Sequence, residues 1–262
     1  MPDLDNLNTS GNPNNYLEGI YNYCDRWCER CNFTGRCAVY YRTEKDFPSG
    51  SILENPADFF EYLRKIFEET KNMLDDKLKE FNFDEITPED LLEAERITKS
   101  IEERIETNPL VLEARKYPDL VKHWFESNSE ILKQKEMMFN NNLRLGLHGY
   151  TINNAQLLNE VFEIIHFYSF FIAVKVIRAF RDKYETELNG FDTKEDMLTT
   201  AKLLLLAITR SIAAWQILIE FFPEMEESTT DIFLLLNRIR IKFEDIFPDA
   251  WAYERLYFDR PQ

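Results

Sequence analysis

The four cysteines of this 262-residue chain, Cys24, Cys28, Cys31 and Cys37, all fall within the stretch YCDRWCERCNFTGRCAVYY. Thiols act as nucleophiles, disulfide partners or soft metal ligands, so their confinement to one short segment is the first chemical signal in the sequence. A helix over residues 20 to 31 would place Cys24, Cys28 and Cys31, spaced four and three apart, on one face within a ~60° arc. The chain then passes through NFTG, where Gly35 is expected to adopt the positive φ of a reversing turn and return Cys37 to the same point. Four convergent thiolates are the expected result.

Disulfides fit poorly, because the Cβ vectors of cysteines at i,i+3 and i,i+4 on one helix run nearly parallel and a reducing compartment keeps thiols reduced. Small core residues would share the 4-3 spacing, but that reading leaves the clustering of every cysteine in the chain without a reason. Metal ligation accounts for it. Structural zinc sites usually join two C-x2-4-C knuckles across a longer stretch, whereas short consecutive runs of cysteine often hold cubane clusters, so the spacing favours a [4Fe–4S] cluster, with zinc as the alternative. Arg26, Arg30 and Arg36 lie in the same segment and would offset the charge of a four-thiolate site of either kind.

Three resemblances bear on these residues. CERCNFTGRC, Cys28 to Cys37, resembles the C-x2-C-x5-C end of the iron–sulfur staple in CRISPR-associated and recombination-type nucleases. The staple's first cysteine lies far upstream, and no strand-borne Asp…Glu-x-Lys signature accompanies it here, so the likeness implies a cluster type and no nuclease activity. Cys24, Cys28 and Cys31 are similar in spacing to the C-x3-C-x2-C of radical S-adenosylmethionine enzymes. Arg30 stands where those enzymes usually carry an aromatic residue, Cys37 offers a fourth ligand, and the strands of their barrel are absent from the pattern. The whole string CDRWCERCNFTGRC, with RSIAAW and FPDAWAYER downstream, resembles an uncharacterised bacterial family with a CDRWCERC-type motif, which implies no activity.

A second candidate site is the E-x-x-H pair Glu163 and His166 within EVFEIIHFYSFFIAVKVIRAF, the ligand spacing of di-iron bundles and the basis of a bundle-oxidoreductase reading. The matching second pair is missing, since Leu120 and Leu145 precede His123 and His148 at that spacing. A hydrogen-bonded core histidine is the simpler expectation for His166. Lys175, Arg178 and Arg210 fall in the most apolar segments, where a charge needs a partner, so they form either a structural network with Glu163 or Glu220 or an anion site. No phosphate loop, catalytic serine triad order or H-E-x-x-H motif is present.

The elements that must position these residues read as helices. Glycine numbers only 7, against about eighteen at the usual ~7%, which argues against a turn-rich β fold. Asn55 and Pro56 open one helix, Thr87 and Pro88 another, and a third is expected to begin near Pro118 and run to about residue 145. A fourth runs from residue 153 to a stop at Asn189-Gly190, a fifth from a cap at Asp192 to Pro223, and a sixth from residue 228 to Pro248. RTEKDFPSGSILENP reads as a connecting loop. The expected fold is all-α, a bundle of five or six mostly long helices. Residues 1 to 15 read as a disordered lead-in and 16 to 262 as a single helical domain, with residues 20 to 42 as its metal-binding segment. The aromatics of the tail, Trp251, Tyr253, Tyr257 and Phe258, are expected to pack back onto the bundle.

A formal charge of −16 disfavours nucleic acid and anionic membrane surfaces as partners. The first residues have neither the basic nor the apolar region of a signal peptide, so a cytoplasmic location is expected. Residues 203 to 222 are long enough to cross a bilayer, but Arg210 stands near the middle and Lys202, Thr209, Gln216 and Glu220 share a stripe, the pattern of a buried core helix. The leading functional expectation is a four-cysteine [4Fe–4S] protein with a structural or electron-transfer role and a redox or protein partner; a zinc-stapled interaction scaffold is the alternative.

Overall fold

The computed structural model describes residues 15–46, 56–80, 87–190 and 192–259. The lead-in through residue 14, and residues 47 to 55 of the expected connecting loop with the Asn55 cap, lie outside the described residues. The described chain is all-α. It contains eight α-helices rather than five or six: α1 Ala38–Asp46, α2 Pro56–Glu80, α3 Pro88–Thr107, α4 Pro109–Ser127, α5 Ser129–Arg144, α6 His148–Asn189, α7 Lys194–Phe221 and α8 Glu226–Ile246.

The chain divides into two compact units, Met1–Arg96 with Leu256–Gln262, and Ile97–Arg255. In the first, α1 follows directly from the cysteine segment and takes in residues 42 to 46, which the sequence reading assigned to a loop. The start of α3 is capped reciprocally: the Thr87 amide donates to Asp90 Oδ2 at 2.8 Å and the Asp90 amide to Thr87 Oγ1 at 3.2 Å.

The second unit is a bundle in which α6 and α7 pair most extensively, α4 packs on both α6 and α8, and α5 lies against α6. The α6–α7 connection is short, so the two run antiparallel. Gly190, with φ 69°, stops α6 by donating its N–H to Thr186 O at 3.1 Å. Asp192 Oδ1 accepts from the Lys194 amide, with Thr193 at the cap position of α7.

The helix expected from Pro118 begins nine residues earlier and is two helices. Asn108 caps α4, its Oδ1 accepting from the amides of Leu110 (2.8 Å) and Val111 (3.2 Å), and Pro109 follows at the first position. Pro118 sits inside α4 and is buried. Burial of Leu110, Val111, Ala114, Tyr117, Val121 and Trp124 on the same face compensates the backbone hydrogen bond that proline cannot make. The break falls instead at Asn128, whose side-chain amide turns back to Trp124 O at 2.8 Å.

Among the described residues α7 alone has the length and composition of a bilayer span, with 56% of its most apolar window buried. Leu203, Leu204, Leu205, Ile208, Trp215 and Leu218 enter the core. Thr209, Gln216 and Glu220 are exposed, on the stripe expected from the sequence. The polar atoms of the large core aromatics are matched: Trp215 Nε1 donates to Tyr117 OH and Trp124 Nε1 to Thr229 Oγ1, each at 3.1 Å.

Candidate metal centre

The cysteine segment does not form the expected helix over residues 20 to 31. Three short 3-10 turns stand there, Ile20–Asn22, Cys28–Arg30 and Thr34–Arg36. Two residues account for the difference. Asp25 Oδ1 accepts the Trp27 amide at 3.1 Å, a local turn that competes with helix, and Arg26 adopts φ 67°. Arg26 is thus the left-handed reversal, between Cys24 and Cys28, whereas Gly35 has no positive φ and lies within the third 3-10 turn. The segment is closed at its base, where the Leu17 amide donates to Arg36 O at 2.9 Å.

All four cysteines are free and half-buried. Backbone amides face two of the sulfurs. Phe33 N–H donates to Cys31 Sγ at 3.4 Å and Tyr40 N–H to Cys37 Sγ at 3.5 Å. The Cys24 thiol itself donates to Tyr21 O at 3.6 Å. Cys28 is the electrostatic centre of the group: burial pushes its thiol up to about 11, and Cys24, Cys31 and Cys37 push in the same direction. Burial also raises Cys24, against the lowering effect of the Arg26 amide and guanidinium. A cation bound among them would reverse this balance, because positive charge favours the thiolate form.

The side chains as they stand do not share a coordination point; no three His, Cys, Asp or Glu groups among the described residues are gathered tightly enough to hold an ion. An α-helix would have aligned three sulfurs, whereas Cys31 and Cys37 here carry extended backbone after their turns, which redirects each side chain. Of the arginines expected to offset the charge, Arg26 lies over the Tyr21 ring at 5.5 Å and Arg30 over the Trp27 ring at 4.3 Å.

The other predicted residues are placed elsewhere. Glu163 and His166 are both exposed on α6. Glu163 Oε1 accepts from Asn159 Nδ2 at 2.7 Å, and the His166 ring stacks on Phe125 at 4.4 Å. His166 is therefore not the core histidine expected from its apolar neighbours. Phe125 of α4 covers one face of the exposed ring. Arg178 approaches Asp182 Oδ2 at 3.9 Å, Lys175 lies over the Phe171 ring at 5.2 Å, and Arg210 donates to the hydroxyl of Tyr168. Lys175, Arg178 and Arg210 thus engage aromatic, carboxyl and hydroxyl groups of the bundle.

Asp182 was not singled out from the sequence. Its side chain is 11% exposed, its Oδ2 is buried without a hydrogen-bond partner, and burial pushes its carboxyl up to about 6 despite the nearby charges of Arg178 and Lys175. The only sequence signal was a carboxylate four residues after Arg178 in α6.

Fold and segment together define an all-α protein with a thiol-rich loop near its N-terminus. No family model, curated protein or solved structure matches the chain.

Proposed function

We propose that the chain is a metal-binding helical protein whose loop of Cys24, Cys28, Cys31 and Cys37 holds a [4Fe–4S] cluster in a structural or electron-transfer role. The observation that carries this reading is the pair of backbone amides aimed at two of the four sulfurs in one closed loop. Hydrogen bonds of this kind stabilise thiolate ligands and tune the potential of a cluster, and a neutral thiol has little use for them. Full cysteine ligation leaves no open position at iron, which favours electron transfer or stapling over substrate activation. The net charge of −16 suits a protein or redox partner rather than a polyanion.

Zinc is the second reading, since the same four thiols suit a tetrahedral structural site in a scaffold for protein interaction. Anaerobic purification followed by iron, zinc and acid-labile sulfide analysis tests both. Iron and sulfide in equal amounts with a broad visible absorbance are the expected result. A colourless, sulfide-free, zinc-loaded protein replaces the cluster with a zinc staple, and a chain that takes up neither iron nor zinc on reconstitution overturns the metal site altogether.

A further inference from the structure

The last described residues of the chain belong to the same compact unit as the cysteines. The Tyr257 hydroxyl donates to Glu18 O at 3.2 Å, beside the Leu17 amide that closes the loop on Arg36. The Phe258 ring meets the Phe33 ring edge to face, with centroids 5.2 Å apart at 76°. Phe33 is also the residue whose amide faces Cys31 Sγ. Tyr257 holds φ 71°, a left-handed conformation that a side chain other than glycine keeps only when its contacts over-determine it. The tail is therefore fixed on the loop at two points, and one of them is the residue that presents a hydrogen bond to a sulfur. The expected return of the tail to the bundle holds for Trp251 and Tyr253, through Lys202 Nζ to Trp251 O at 2.6 Å and Thr199 Oγ1 to Tyr253 OH at 2.9 Å. Tyr257 and Phe258 belong to the unit of the cysteines.

We infer that Tyr257 and Phe258 form a C-terminal latch on the cysteine loop, with Phe258 as a positioning residue that holds Phe33, and with it the amide that faces Cys31 Sγ, in place and so limits access to that sulfur. In its consequence for metal retention this rests on the metal-site reading, but the latch itself is a property of the chain's own residues. The two can be tested apart.

The full-length reduced chain, stripped of metal, is alkylated with a maleimide and the modification of each cysteine is followed by mass spectrometry. Phe258→Ala is expected to accelerate labelling at Cys31 at least fivefold and at Cys24 less than twofold, with Phe258→Tyr restoring the slow rate. Equal acceleration at all four cysteines would mean general loosening, and an unchanged rate at Cys31 would mean no latch; either overturns the inference. In the metal-loaded protein, Phe258→Ala is expected to start with full metal content and to lose it to EDTA several-fold faster than the unsubstituted chain. Equal loss rates would remove the latch from metal retention. Failure of the unsubstituted chain to load metal overturns the metal reading, whatever the labelling result.

Discussion

The indole N–H of Trp215 on α7 donates to the hydroxyl of Tyr117 on α4 at 3.1 Å, and both side chains are fully buried. Trp215 also meets Trp124 edge to face at 5.0 Å, so the contact couples two helices through matched polar and aromatic groups. Tyr117→Phe keeps the shape and deletes the acceptor. The buried indole N–H is then unsatisfied, and a loss of about 1–3 kcal/mol is expected in urea unfolding. Unchanged stability would show that the bond adds nothing over packing.

Asp182 makes stability depend on pH with a sign opposite to that of an ordinary paired carboxylate. Its folded value of about 6 stands above its ordinary 3.8, so the folded chain holds the proton more tightly. Its contribution is fully present below pH ~4, falls as pH rises toward ~6, and stays lost above that. The difference corresponds to at most about 3 kcal/mol. Asp182→Asn is expected to raise stability at pH 7 and leave it little changed at pH 4, which thermal unfolding at the two pH values checks. A variant less stable at pH 7 than the unsubstituted chain would mean that the Arg178 pairing outweighs desolvation.

Two glycines separate the roles that the sequence assigned to turns. Gly35 has ordinary φ and open space where a Cβ would stand, so Gly35→Ala is expected to change thermal stability by no more than ~0.5 kcal/mol. Gly190 at φ 69° ends α6, and Gly190→Ala should cost about 1 kcal/mol. The same cost at both positions would contradict the reversal at Arg26.

Asn108 serves α4 with both ends of its amide, capping Leu110 and Val111 with Oδ1 and donating Nδ2 to Tyr184 OH at 3.0 Å. Asn108→Ala is expected to cost about 0.5–2 kcal/mol, read from the urea midpoint. Asn108→Asp, which keeps the cap and loses the donor to Tyr184, should recover most of it.

Cys31→Ser tests whether the proposed metal is part of the fold. The variant is expected to lose metal on purification and to unfold at lower temperature, since so short a segment has little core of its own. Loss of metal with an unchanged unfolding temperature would assign the site to electron transfer alone.

What could be read from the sequence was local. Thr87-Pro88 and Asn189-Gly190 signal helix ends through groups within four residues, and the structure places ends there. Pro118 misled because burial of one face of α4 outweighs a missing backbone bond, a tertiary effect invisible at that position. In the cysteine segment the 4-3 spacing suggested a helix, while Asp25 and Arg26 carried the overriding signal. An aspartate two residues before the amide that donates to it is a readable turn feature, but a left-handed arginine is not. The pairs Tyr117–Trp215 and Phe33–Phe258 lie too far apart in the chain for any periodicity to reveal them.

The latch also imposes an order in time. Tyr257 and Phe258 are translated more than two hundred residues after Cys37. At ~5–20 residues per second the interval is on the order of tens of seconds, during which the nascent loop carries its thiols with no tail to hold them. An ion or cluster delivered to the nascent chain meets an open loop, whereas one delivered after release meets a fastened one.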